Sequence, residues 1–455
     1  MANNETTAKP RRKLKISHIL IFLLLIIIAV FGILRIRLRL KLNAKLSAIS
    51  AAGYPVTCAE LDEWYSIPES ADNASKAIIE SFSHYSKWGE EELKLVPVVG
   101  KAELPLRTEP LTEETKTLVT LYLADNQAAL DLLHKGAEIE HSRYPIDLSK
   151  GFEAVMPDLS NIRSAARLLQ LEGVLHAENA KPELALRSIT SIFGLGRSLS
   201  KEPILVSQLV RLACQSFGVS ALEHVINRTE FTDEQLVSLS RTLTSGEDHS
   251  PMTRAFAGER CAGGSIFKEP SARILKLTNG GSSKLVFVPL ALYKFVGLAD
   301  KDASIYLDLM SDYIETTQLP PHQRQEAADA IEAKFTAISK AHILLHAIMP
   351  ALPRVTTIDI RSIAQLHTAQ VALAIQRYRL ATGNIPESLA DLLPTYLDAV
   401  PKDPFDGKDL RYKKLETGFV VYSIGEDGND DGGQEKPRKK TSGDVPVDIT
   451  FIIQR

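Results

Sequence analysis

Hydrophobic positions in this chain follow three successive spacings. The first is an unbroken run, ISHILIFLLLIIIAVFGIL from Ile16 to Leu34, with no Lys, Arg, Asp or Glu in it. At 1.5 Å per residue it spans about 28 Å, close to the thickness of a bilayer's hydrocarbon core. The charged run Arg35, Arg37, Arg39 and Lys41 follows directly, where a signal peptide would offer small residues for cleavage. The pattern therefore predicts a retained N-terminal transmembrane anchor over 16–34, preceded by a basic tail over 1–15 and followed by a juxtamembrane linker over 35–69.

A helical spacing then takes over. In TEETKTLVTLYLADNQAALDLLHKGAEI, residues Leu118, Leu121, Leu123, Ala129, Leu130 and Leu133 are spaced as a helical stripe. In SNIRSAARLLQLEGVLHAENAKPELALRSITSIFGLGRSL, Ile162, Ala165, Ala166, Leu169 and Val174 line one helix, and Leu184, Ile189, Ile192 and Leu195 line the next. NAKPE separates them, with Pro182 placed to open the second. The pair resembles a tetratricopeptide-like hairpin, although no second copy recurs at a 34-residue period. Thr232, with Gln235 at the third position, predicts a capping box. Over 246–283 the pattern weakens, and CAGG and TNGGSS read as breakers. KLVFVPLALYKFVGLA is apolar but too short for a second span, and Pro289 and Lys294 interrupt it, so it reads as buried or amphipathic. QLPPHQRQEAADAIEAKFTAISKAHILLHAIMP reads as a further helix, and Pro350 and Pro353 mark the end of an α-helical body over 70–350.

The third spacing begins after those prolines. TIDIRSIAQLHTAQVALAIQRYRLATG is an amphipathic helix that Gly383 ends. DLRYKK, GFVVYSIG and VDITFII are short β-rich segments. The whole is a mostly α chain with a small α+β module over 354–455.

Charge adds an asymmetry. The formal net charge is −3, but residues 1–45 hold ten Lys/Arg against Glu5 alone, about +9, which leaves about −12 on the remainder. An acidic body excludes nucleic acid as the main partner, since phosphate binding needs a basic face. Five basic residues precede the span and five follow it closely, so the positive-inside rule does not choose an orientation. Cys58, Cys214 and Cys261 are too few and too far apart for a disulfide framework or a metal knuckle.

ALAIQRYRLATGNIPESLADLLP, VPKDPFDGKDLRYKK, GFVVYSIGEDGNDDGG and VDITF, in that order, resemble the globular domain of the major pseudopilin of type II secretion. The matches are Gly383 and Pro386; Pro401, Asp403, Pro404 and Phe405; Ser423, Gly425, Asp427 and Gly428; and Asp448. The resemblance covers about residues 356–455 and implies a calcium site (Ca2+) closed by the Ser-x-Gly-x-Asp-Gly loop and acids near the C-terminus. Ser423, Asp427 and Asp448 fall at matching positions, with Asp430 or Asp431 replacing an acid where this chain has Pro446. The prepilin-peptidase site of a pilus subunit is missing, and some 320 residues separate span from module. The layout as a whole resembles membrane-anchored proteins of planctomycete-type bacteria, which implies no activity.

On its own residues, GEDGNDDGG leaves two readings open. Asp427, Asn429, Asp431 and Gly432 match the first half of an EF-hand loop, but Arg438 stands where the bidentate glutamate belongs. EF-hand is excluded, and a pseudopilin-type calcium site and an acidic glycine-rich turn remain. His342 and His346 share a helical face without a third ligand, and no nucleophile, P-loop or dinucleotide motif stands out. The resemblance implies that the body lies outside the cytoplasm. Two function classes follow, beside a third reading as a cytoplasm-facing scaffold with a vestigial module. One is a non-enzymatic component of a secretion-like or envelope assembly, binding a protein partner. The other is an enzyme with a cleft around Glu138, His141 and Arg143 or around Glu259 and Arg260. Convergence of those charges in one pocket separates the two.

Overall fold

The structure is a computed structural model that describes residues 16–154, 158–274, 284–349, 352–435 and 448–455. The basic tail 1–15, the TNGGSS breaker, Pro350, and the 436–447 part of the late insert, including Arg438 and Pro446, lie outside the described residues.

Helix α1 spans Ile16–Ala51, so the apolar run and half of the expected linker form one element. No Gly or Pro interrupts RIRLRLKLNAKLSAISA, and Gly53, at φ +80°, is the first residue suited to stop it. After it come α2 (Cys58–Trp64), α3 (Ala74–Phe82) and α4 (Glu90–Leu95). The helical stripe expected next is divided into α5 (Glu113–Asp125) and α6 (Gln127–Glu138). Asn126 makes the break: its buried side chain donates to the Tyr122 carbonyl and the Ser86 hydroxyl and accepts from the Ser86 N–H. A side chain that bonds backbone competes with the helix ladder.

The expected hairpin is present as α7 (Leu159–Glu178) and α8 (Pro182–Ser198), packed along their length, with Pro182 opening the second helix. Then come α9 (Leu205–Ile226) and α10 (Asp233–Ser245), the latter carrying the Thr232/Gln235 capping box. Helix α11 (Ser250–Ile266) occupies the stretch read as pattern-poor. Its glycines are close contacts and not breakers: a Cβ on Gly258 would sit 1.8 Å from the Pro203 carbonyl oxygen, and one on Gly263 2.1 Å from the Tyr306 hydroxyl.

Helix α12 (Lys284–Phe295) follows, with Leu290 and Tyr293 buried and Leu292 and Phe295 exposed. It is followed by α13 (Leu298–Thr316), α14 (Pro321–Thr336), the short α15 (Ile343–Ile348) and the 31-residue α16 (Leu352–Thr382). Gly383, at φ +75°, caps α16 through its N–H to the Arg379 carbonyl. The three expected strands form one antiparallel sheet in the order β1 (Arg411–Lys414), β2 (Phe419–Ser423), β3 (Ile449–Ile453).

Two apolar clusters organise these elements. The larger joins α3, α5–α10, the C-terminal half of α16 and the sheet, down to Phe451 and Ile453. The smaller joins the end of α1, α11, α13, α14 and the start of α16, with Leu42, Phe256, Met310 and Leu352 inside it. The module over 354–455 is thus continuous with the body's core. The end of α1 is fixed to α13 by Arg35 to Asp300, by Lys45 to Asp308 at 2.5 Å and by Lys45 to the Ser304 carbonyl at 2.9 Å.

Among the described residues three helical stretches are long and apolar enough to cross a membrane by composition. The window in α1 has 0% of its residues buried, whereas that in Leu205–Ile226 has 67% buried inside the body. The N-terminal helix is the candidate span.

Because Phe451 is fully buried in the cluster shared with α7–α9 and α16, Phe451→Ala is expected to cost about 3–5 kcal/mol. The loss should appear in one cooperative transition of the whole chain. Denaturant unfolding followed by helical circular dichroism tests this, and a separate early transition of the sheet would overturn it.

Candidate functional site

The motifs of the C-terminal module meet around one carboxylate. Asp403 sits in the PKDPFD turn and is fully buried. It accepts from the Ser423 hydroxyl at 2.8 Å, from the N–H groups of Phe405 and Ile424 at 3.0 Å each, and from Arg411 at 2.6 Å. Arg411 also donates to Asp406 at 2.6 Å and stands 3.6 Å from Asp430. A buried carboxylate with this many charge-assisted donors fastens the proline loop to the end of β2.

The residues expected to hold calcium are differently engaged. Ser423 donates to Asp403 and accepts from the Gly425 N–H at 3.3 Å. Asp427 accepts from the Asn429 N–H at 3.1 Å and Asp430 from the Gly432 N–H at 3.0 Å, each closing its own short turn. Asp448 accepts from the N–H groups of Gly433 at 2.7 Å and Asp431 at 3.3 Å. Burial raises the Asp448 carboxyl above its usual range, and the nearby charges of Asp430 and Asp431 add to the rise, against those two N–H donors. Among the described residues no group of three or more His, Cys, Asp or Glu side chains is placed to hold a metal ion. Asp448 is thus engaged by the backbone of the loop and Asp430 stands near Arg411, while Ser423 and Asp427 face protein donors.

The charged groups considered for catalysis do not converge. Glu138 pairs with Arg187 at 3.2 Å beside one cavity, whereas Arg143 pairs with Asp62 at 3.0 Å. The carboxylate of Glu259 accepts from the Leu205 N–H at 3.3 Å, and Arg260 lines a different cavity. His342 bonds to the fully buried Asp302 at 2.5 Å, and His346 faces the Ile338 carbonyl at 3.3 Å, so the two histidines do not share a ligand.

Two arrangements have no counterpart in the sequence pattern. In the first, His134 on α6 stands between Ser191 on α8, at 2.8 Å from Nδ1, and Glu172 on α7, at 2.9 Å from Nε2. Burial alone would raise the Glu172 carboxyl, but hydrogen bonds from His134, His176 and Ser188 outweigh it and bring it down to about 2. This order of serine, imidazole and carboxylate is that of a nucleophilic triad, but Ser191 lies inside α8, where the neighbouring N–H groups are committed to the helix. Those neighbouring N–H groups are therefore not free to stabilise an oxyanion, and the network satisfies buried polar groups on three helices. The second brings Cys58 on α2 against Cys261 on α11, whose hydrogen bond pulls the Cys58 thiol down to about 6. Each set comes from different helices with no fixed spacing, which is why periodicity did not reveal it.

A scan of family models finds no match to the chain, and searches of curated proteins and of solved structures find none either.

Glu202 supplies a pH test of the interior. It is 1% exposed, and burial pushes its carboxyl up to about 7 against hydrogen bonds from Ser207 and Tyr65. With a folded value above the unfolded one, its contribution is present below about pH 4.5 and is lost as pH rises through about 7. Glu202→Gln should therefore gain on the natural chain by an amount on the order of 3 kcal/mol between about pH 5 and about pH 8. Urea midpoints of both proteins at the two pH values read this, and a gain toward acid would contradict it.

Proposed function

We propose that this chain is a single-span membrane protein whose helical body stands outside the cytoplasm and binds a protein partner, as a non-enzymatic component of a secretion-like or envelope assembly. The observation that carries the reading is the path of α1. One helix leaves the apolar segment and packs on α13 through Leu42, Leu46 and two ion pairs. The body is therefore held at the membrane surface by a stiff element and not by a tether, as suits a part that must present a face at a fixed place. The scatter of Glu138, Arg143, Glu259 and Arg260 supports binding over catalysis. The side of the membrane rests on the pseudopilin resemblance.

Protease applied to spheroplasts of cells expressing the chain should remove the body while sparing a tag placed ahead of Lys9. Cleavage of the body only after lysis would put it in the cytoplasm and overturn the proposed side.

Calcium at the acidic loop belongs to the same reading. It is supported by the crowding of Asp430 and Asp431 on Asp448, a repulsion that a divalent cation would relieve. The three side chains are not yet placed round an ion, so binding would draw Asp430 and Asp431 in toward Asp448, and its effect would be to fasten the loop to β3. A ligand bound only by the folded state at about 100 times its Kd adds about 2.7 kcal/mol. Melting of the full chain in uncharged detergent should rise in roughly 1–5 mM calcium over chelator, and Asp448→Asn should abolish the rise. An unchanged melting temperature would leave the loop an acidic turn.

A further inference from the structure

A cavity of about 500 Å3 opens where α1 leaves its apolar run. Arg35, Arg39, Leu42, Leu46 and Ile49 of α1 line one wall, at the spacing that keeps residues on a single helix face. From Arg35 to Ile49 the wall is about 21 Å long. Phe267, Ala303 and Leu307 face it from α11 and α13. The end nearer the apolar run is bounded by α12, where Phe295 stacks on Phe31 with ring centres 5.5 Å apart. Leu292 and Phe295 remain exposed beside it. The slot therefore has an apolar middle and reaches down to the candidate span.

Its far end is cationic and unanswered. Arg260 is 4% exposed and lies over Tyr54, 5.1 Å from the ring centre. Its Nη1 donates to the Ser311 hydroxyl at 3.0 Å, whereas Nε and Nη2 have no hydrogen-bond partner among the described residues. Burial lowers the guanidinium's pKa, yet arginine keeps its charge in proteins. Leaving a buried charge with two unmet donors is costly, and its own neighbour Glu259 is turned toward Leu205. The other cations on the wall differ: Arg35 is paired with Asp300, Lys294 bonds the Glu269 carbonyl, and Arg39 and Lys268 are exposed to solvent.

We propose that this slot binds a single-chain anionic amphiphile, with its acidic head on Arg260 and its hydrocarbon chain along Leu42, Leu46, Phe267 and Leu307 toward the bilayer. A polar ligand such as a nucleotide would leave the apolar middle unfilled, and a neutral hydrocarbon would leave Arg260 unpaired. An amphiphile answers both, and its source is the membrane at the mouth of the slot. That last step rests on the reading of α1 as a span. The shared chemistry of head and chain fits either a fatty-acid carboxylate or a lysophospholipid phosphate.

The full chain in uncharged detergent is titrated with palmitate, with palmitoyl lysophosphatidylglycerol and with uncharged monopalmitoylglycerol, and binding is read by native mass spectrometry. At least one anionic probe should bind one-to-one and about tenfold or more tighter than the neutral one. The tighter of the two anions identifies the source. Arg260→Gln should erase that preference and Arg260→Lys should restore part of it. Leu46→Trp, which fills the slot and leaves Arg260 in place, should abolish binding while the helical spectrum is retained. Equal binding of the neutral probe, or an anionic preference that survives Arg260→Gln, overturns the proposal. Release of the chain from membranes by alkaline carbonate would defeat the span reading alone, because the titration is read in detergent.

Discussion

The structure depends on burying α16 along most of its length. Its first turns, at Leu352 and Val355, belong to the smaller apolar cluster, and the run from Leu366 to Ile375 belongs to the larger. Polar positions on such a helix must find partners inside the protein, and most do, although the buried amide nitrogen of Gln376 has none among the described residues. Asp359 pairs with Arg324 of α14 at 3.0 Å, both nearly inaccessible, and Ser362 donates to Gln215 of α9 at 2.8 Å. Farther along, Arg377 grips Asp233 at the start of α10 with two bonds. A helix fastened in this way to α9, α10 and α14 locks the two clusters to one another. The sheet is packed on its last turns.

The sheet also shows how the chain handles exposed backbone. Strand β3 is an edge strand, which would normally offer unpaired N–H and C=O groups to another chain. Here α9 answers them with side chains. Glu223 accepts from the Ile452 N–H at 2.9 Å, and Asn227 donates to the Ile452 carbonyl at 2.9 Å while accepting from the Gln454 N–H at 2.8 Å. The edge is closed by a helix instead of a further strand. Asp403 solves the matching problem for the proline loop, and Arg260 is a buried ion with no paired carboxylate among the described residues.

How much of this could be read in advance follows from the range of the interactions. The long N-terminal apolar helix, the α7–α8 hairpin, the Thr232 cap, the Gly383 stop and the three strands are set by neighbours within a few positions, and each was legible. Helix α11 was not, because its glycines signal a break locally, whereas Pro203 and Tyr306 impose them from elsewhere in the fold. The division at Asn126 was missed for the same reason, since Ser86 is its partner. For the candidate sites the acidic loop was conspicuous, but the commitment of Ser423 to Asp403 depends on Arg411 and a turn twenty residues earlier. The slot at Arg260 needed α1, α11, α12 and α13 to meet, and no spacing along the chain encodes that meeting.

One mechanical consequence follows from α1 being a single helix. A transmembrane segment that is longer or shorter than the local bilayer responds by tilting or by deforming the lipid. A flexible linker would confine that response to the lipid phase. In the anchored reading, Ile16–Ala51 is one rod and its distal half is clamped to α13, so any tilt of the buried half swings the entire body through the same angle. The face it presents to the surroundings would then report the thickness of the membrane beneath it.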